Sequence, residues 1–315
     1  MTDLAATFAP AVRAWLTRID EHAAGLDGLS APFGPERRAA SRVLSDLLAA
    51  EFTAPAPESV AIDDFEVPGA DGPVRVRRYR PRELTGPAPT QVWLHGGGFH
   101  AGAVDEEVND RLCAARAADA ALQICSVDYR LAPEHPYPAA AHDALAVVDA
   151  LHADPRAADV DRRRIGIGGN SAGATIAASA AILSRDRSAV RLCHQDLEVV
   201  AATLRGIDGL PAHEAALVRA YLGGDEAPPQ ASPLEEPDLT GLPPALILVA
   251  EHDPLQGPGL AYARRLEDAG IPVTAHFGAG HLHGTPALTA VFDGARRWQR
   301  LHARELARAY RTAAA

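Results

Sequence analysis

The chain has 315 residues, enough for one large domain or two small ones. Hydrophobic residues make up 47% and charged residues 23%, which marks an ordinary globular protein, and a formal charge of −11 argues against a surface built for nucleic acid or anionic membrane. No apolar run reaches the ~18 residues of a membrane span, and Met1–Ala6 lacks a basic segment before an apolar core, so the sequence predicts neither a span nor a secretory signal.

Two helices come first, over residues 3–24 and 35–52. Leu4, Phe8, Val12, Leu16 and Ile19 recur at helical spacing, as do Val43, Leu44, Leu47 and Leu48. Pro32, Gly34 and Pro35 separate them. After the stiff stretch Ala54-Pro55-Ala56-Pro57, the segments Val60–Val67 and Val74–Tyr79 read as a strand pair joined through Pro68–Pro73. Strands and helices then alternate: strand Thr90–Leu94, helix Asp105–Ala120, strand Leu122–Val127, helix Ala139–Leu151, strand Arg164–Gly168, helix Ser171–Leu183 and a short strand Ala189–Cys193. A less regular stretch to about 240 holds one helix near Ala212–Leu222. Strand Pro244–Ala250, helix Gly259–Ala269, strand Val273–Phe277 and helix Pro286–Leu306 close the chain. This alternation calls for a mostly parallel sheet with helices on both faces. The two N-terminal helices and the 200–240 stretch fall outside it and are candidates for a lid. Cys113, Cys125 and Cys193 are odd in number and in no metal-ligand pattern, so they are expected to be reduced, buried thiols in a cytoplasmic protein.

The chemistry centres on Gly169-Asn170-Ser171-Ala172-Gly173, a serine between a strand and a helix with glycine two positions away on either side. Such a turn lifts the hydroxyl above the sheet edge and sets a helix N-terminus beneath it, where N–H groups can face developing negative charge. An ordinary turn would use the same residue types. Further upstream, His95-Gly96-Gly97-Gly98-Phe99 follows a strand. Three adjacent glycines are costly to order, and they fit a loop whose free N–H groups bind the oxygen of a tetrahedral intermediate. A phosphate loop would bring a lysine or G-x-G-x-x-G spacing, and neither is present. His95 itself is expected to brace the loop.

Together with Asp128-Tyr129-Arg130-Leu131-Ala132-Pro133-Glu134 and Asp253-Pro254-Leu255, these motifs resemble the hormone-sensitive-lipase family of α/β-hydrolases, in order from about residue 60 to 290. The resemblance implies an α/β-hydrolase fold: a central mostly parallel sheet, helices on both faces and a helical lid. Residues 1–54 would form N-terminal lid helices, 55–195 and 241–315 the catalytic domain, and 196–240 a lid insertion. It also implies that Gly97, Gly98 and Ala172 donate the oxyanion bonds.

A serine needs a base, and the base an acid, in the order Ser, Asp/Glu, His for this fold. Asp253 follows the strand Pro244–Ala250 and is the expected acid, with Glu251 a nearby alternative and Asp196 a remote one. The base lies in Gly278-Ala279-Gly280-His281-Leu282-His283-Gly284. Local chemistry barely separates the two histidines. A His-x-His pair also raises a metal, for which no third ligand is in sight. The family's base is directly followed by glycine, which selects His283 and leaves His281 to tune it or touch substrate.

Three departures concern the pocket: Thr285 stands where the family often has phenylalanine, Gln256-Gly257-Pro258 where an acidic residue is usual, and Leu192-Cys193-His194-Gln195-Asp196 where a strand commonly ends apolar-Tyr-Pro. The expected function is cofactor-free, metal-free hydrolysis of carboxylic esters, with short acyl chains, by Ser171, His283 and Asp253. The alternatives are amidase, lactonase or acyl transfer through the same three residues, or a non-catalytic receptor like the plant gibberellin receptors of this family. A small-molecule ester is the expected partner, with no nucleic acid. A homodimer through Val273–Phe277 and the last helix follows from the resemblance alone.

Overall fold

A computed structural model describes residues 7–187, 190–206 and 210–313. Two helices, α1 (Pro10–Ala23) and α2 (Pro35–Phe52), each begin on a proline, whose missing N–H and fixed φ suit the first helical turn. Leu4, the first residue of the expected helical stripe, lies outside the described residues. The strands are β1 (Val60–Gly69), β2 (Gly72–Pro81), β3 (Ala88–Leu94), β4 (Gln123–Val127), β5 (Val160–Asn170), β6 (Gln195–Glu198), β7 (Ala245–His252) and β8 (Val273–Leu282). The later helices are α3 (Glu107–Ala120), α4 (Ala139–Ala153), α5 (Ala172–Arg187), α6 (Ala212–Leu222), α7 (Gln256–Asp268) and α8 (Asp293–Thr312).

All eight strands form one sheet in the order β1-β2-β4-β3-β5-β6-β7-β8. The β1–β2 and β2–β4 pairings are antiparallel, and every pairing from β4 through β3 to β8 is parallel. Side chains alternate across it as the strand period requires. Val92 and Leu94 join Cys125, Val127, Ile247 and Val249 in one apolar layer with α4, α5 and α7. Trp93, Ile124, Leu246 and Leu248 point to the other face, against α3 and α8. A third cluster, Phe8, Val12, Phe52, Leu288 and Ala295, ties α1 and α2 to the region just before α8.

Three expectations are corrected. The strand read at Ala189–Cys193 is not formed by its described residues; the sheet uses Gln195–Glu198 instead, so the first residues of the expected 196–240 insertion belong to the sheet. Polar Gln195, Asp196 and Glu198 are buried there because each finds a partner: the Pro243 carbonyl, His302, and Arg116 with Trp298. The last helix starts at Asp293, not Pro286; Thr285–Ala287 form a short turn that delivers Leu288 to the third cluster. Similarly, β8 runs on to Leu282 because β7 extends to His252 and the two pair at that end.

Candidate active site

Ser171 sits between β5 and α5 with φ 55°, a left-handed conformation that costs a non-glycine residue roughly 1–3 kcal/mol. The surroundings enforce it. Its N–H donates to the Glu198 carbonyl at 2.8 Å, and its own carbonyl accepts from Thr175 N–H at 3.2 Å. The turn packs so closely that a Cβ on Gly173 would lie 2.0 Å from the Leu94 carbonyl oxygen, so only glycine fits.

The imidazole of His283 lies across that hydroxyl. Its Nε2 is 2.8 Å from Ser171 Oγ, and its Nδ1 is 2.7 Å from Asp253 Oδ2. Asp253 is buried at the end of β7, and its other oxygen accepts the Leu255 N–H at 2.9 Å. With Nδ1–H donated to the carboxylate, the free Nε2 lone pair accepts the serine O–H. His281, two residues earlier in β8, engages other groups. Its Nδ1 lies 2.9 Å from Thr285 Oγ1, and its ring packs on Phe292 and Trp298. Burial lowers its pKa and favours the neutral ring. Neither alternative acid touches His283: Glu251 accepts the Gly280 N–H at 2.7 Å, and Asp196 binds His302 at 2.7 Å.

The glycine loop follows β3 and passes beside the serine. Gly97 (φ 128°) has no room for a side chain, since a Cβ would lie 2.1 Å from the Ala101 carbonyl oxygen. Among the described residues, no protein acceptor takes the N–H of Gly97 or Gly98. Ala172 opens α5, where main-chain N–H groups have no partner within the helix. His95 braces this loop from below. It is fully buried and stacked on Tyr129, its Nδ1–H reaching the Gly96 carbonyl at 2.8 Å, while Tyr129 Oη–H donates to the His95 carbonyl at 2.7 Å. Burial pushes the His95 pKa down to about 4, so it stays neutral.

Ser171, His283 and the glycine loop open onto a cavity of about 420 Å³. Much of its wall was not legible beforehand: α2 gives Ser41 and Ser45, the N-cap of α3 gives Glu106, and α3 itself gives Arg116. Arg116 is buried over the face of Trp93 and donates to Glu198 at 3.1 Å, while Trp298 donates to the same carboxylate at 2.6 Å.

A family model described as the alpha/beta hydrolase fold matches residues 91–287. The chain is 34% identical to esterase LipI of Mycobacterium tuberculosis over 76% of this chain and 80% of that protein. It is 33% identical to an ethyl acetate hydrolase of Pseudomonas putida over the same shares of each. A solved structure of a hyperthermophilic esterase from the archaeon Pyrobaculum calidifontis matches with a TM-score of 0.82 at 30% identity, covering 95% of this chain and 98% of that one.

Proposed function

The chain belongs to the hormone-sensitive-lipase-like family of α/β-hydrolase carboxylesterases, and from that premise we propose that Ser171, His283 and Asp253 carry its hydrolysis of carboxylic esters. The observation that supports this most is the continuous chain of short contacts, Ser171 Oγ to His283 Nε2 at 2.8 Å and His283 Nδ1 to Asp253 Oδ2 at 2.7 Å. His283 takes the serine proton as Oγ adds to the acyl carbon, and the carbonyl oxygen, now negative, receives the N–H groups of Gly97, Gly98 and Ala172. Collapse breaks the bond to the alcohol, which leaves with the proton from His283. Water, deprotonated by the same ring, then attacks the acyl-enzyme and releases the acid. Asp253 fixes the tautomer and stabilises the imidazolium throughout.

A cavity of about 420 Å³ accommodates a short acyl chain better than a long one. The helices α1 and α2 form a lid in this reading: Ser41 and Ser45 line the cavity, and Arg38 of α2 donates to the His100 carbonyl beside the glycine loop. The insertion after β6 supplies the rest of the lid. Phe277 lies 54% exposed on the edge strand β8, which favours a homodimer through β8 and α8. Three free thiols favour a reducing, cytoplasmic setting, and among the described residues no helix is long and apolar enough to cross a membrane.

Hydrolysis of p-nitrophenyl acetate and butyrate by the wild type and three variants tests the assignment. Ser171→Ala and His283→Ala should each lower kcat by about 10⁴ or more, and the first should abolish labelling by an organophosphonate. His281→Ala should cost far less. Equal losses from the two histidine variants would remove the basis for choosing His283.

A further inference from the structure

The cavity holding Ser171 also holds a carboxylate for which the reaction has no use. Glu106 is more than nine-tenths buried and lines that cavity. It occupies the N-cap position of α3, yet its side chain makes no capping bond. Oε2 accepts the Ser45 hydroxyl at 3.0 Å, and among the described residues nothing donates to Oε1.

Among the described residues no cation forms an ion pair with it. Arg42, from the facing helix α2, is engaged with Asp105 at 2.7 Å and Asp46 at 3.5 Å. Arg116, further along α3, is matched by Glu198. The charges felt at Glu106 are therefore Asp46 and Asp105, which repel its ionised form, and Arg42, which only partly offsets them. Buried carboxylates are ordinarily paired, because an uncompensated one is costly. Burial lifts its pKa to about 7, with Asp46 and Asp105 adding to the rise and the Ser45 hydroxyl and Arg42 opposing it.

We propose that Glu106 is a subsite for a positively charged group of the substrate, so that the preferred esters carry an alkylammonium on their acyl or alcohol portion. The proposal rests on the ester-hydrolase reading and names the substrate class within it. A bound cation supplies the counter-ion that burial denies this carboxylate, in a setting of low dielectric where the attraction is strong. The cavity holds a small ester of this kind, and a net charge of −11 favours the approach of cations.

The test compares isosteres that differ in charge. On the alcohol side these are butyrylcholine, uncharged 3,3-dimethylbutyl butyrate and anionic 4-(butyryloxy)butanoate; on the acyl side, the ethyl esters of 4-(trimethylammonio)butanoate and 5,5-dimethylhexanoate. Acid release is followed for wild type and Glu106→Gln, and kcat/KM is taken as the charged-to-neutral ratio within each protein, so differences in the folded fraction cancel. The wild type should favour the cationic ester by about tenfold or more in one pair, and the ratio should fall towards unity in Glu106→Gln. Should that variant not fold, the wild-type ratio decides: it should rise as pH passes upward through about 7, where Glu106 ionises, and a flat ratio overturns the proposal. Equal ratios in the two proteins, or a preference for the anionic ester, overturn it as well. Failure to hydrolyse even the neutral esters would defeat the ester-hydrolase reading itself.

Discussion

The carbonyl oxygen of Glu198 holds the main-chain N–H of Ser171 at 2.8 Å, while the carboxylate of the same residue closes a buried cluster with Arg116 and Trp298. The turn that carries Ser171 is thus anchored to a strand whose own charge must be matched inside the core. Next to it, Asp196 and His302 form a second pair, both side chains inaccessible to solvent.

Removing one partner of such a cluster strands the others. Glu198→Ala should cost about 3–5 kcal/mol, because Arg116 loses its counter-ion and the Trp298 N–H its acceptor. Urea unfolding measures it. The double variant Arg116→Met with Glu198→Leu should recover much of that loss, since no buried charge is left unmatched. A double variant as unstable as the single one would mean that packing, not charge, sets the cost.

The same cluster predicts two opposite pH dependences of stability. Burial would raise the Glu198 carboxyl, but Arg116, His302 and Trp298 more than offset it and hold it down to about 2, below its ordinary 4.5. Its contribution is therefore present above pH 4.5 and disappears as pH falls towards about 2. For His302, burial and Arg116 lower the pKa, yet Asp196 and Glu198 win and leave it above 6.5. Its contribution is complete below pH 6.5 and fades as pH rises through the raised value. His302→Gln should accordingly cost more stability on the acid side of 6.5 than in alkali, as read from unfolding midpoints across pH.

Gly97→Ala should damage rate more than fold. The new Cβ would sit 2.1 Å from the Ala101 carbonyl oxygen at a φ of 128°, so the loop must shift. Losing one oxyanion donor costs about 10²–10³ in kcat with a smaller change in KM. Steady-state kinetics on p-nitrophenyl butyrate separate the two constants, and a pure KM effect would argue against an oxyanion role.

Thr285 stands at the position noted above as a departure from the family pattern, and its hydroxyl ties three groups together. It donates to the Leu282 carbonyl at 3.0 Å, accepts from Leu282 N–H at 3.1 Å and lies 2.9 Å from His281 Nδ1. His283 lies inside that knot. Thr285→Val should reduce kcat by about tenfold through a misplaced imidazole, whereas Thr285→Ser restores it. Equal kinetics for both variants would make the hydroxyl dispensable.

The thiols should be silent. Burial pushes Cys113, Cys125 and Cys193 each up to about 12, so little thiolate exists at neutral pH. Ellman's reagent should titrate none rapidly in the native protein and all three after unfolding.

Most elements were legible because apolar periodicity reports which face of a helix or strand is buried. Helix α6 falls on the residues read for it, Ala212–Leu222, and α2 on 35–52. Strand β6 was misplaced because Asp196 and Glu198 look like loop residues until their partners on α3 and α8, 82 and 106 residues away, are known. The start of α8 was misread for a related reason. Leu288 and Val291 continue a helix-like pattern, but Leu288 is spent on packing against α1 and α2.

What the sequence determined by itself is local: a serine between glycines where a strand meets a helix, a glycine run after another strand, and an Asp-Pro after a third. Those features fix backbone shape within a few residues, which steric rules and side-chain period encode directly. The family resemblance had named His283 and Asp253, but tertiary structure alone supplied the contacts that bring His283 to Ser171 across 112 residues and Asp253 to His283 across 30, and alone decided which side chains of α2 and α3 wall the cavity. Those distances depend on the β7–β8 register and on how the helices seat against the sheet, and no short stretch of chain contains either.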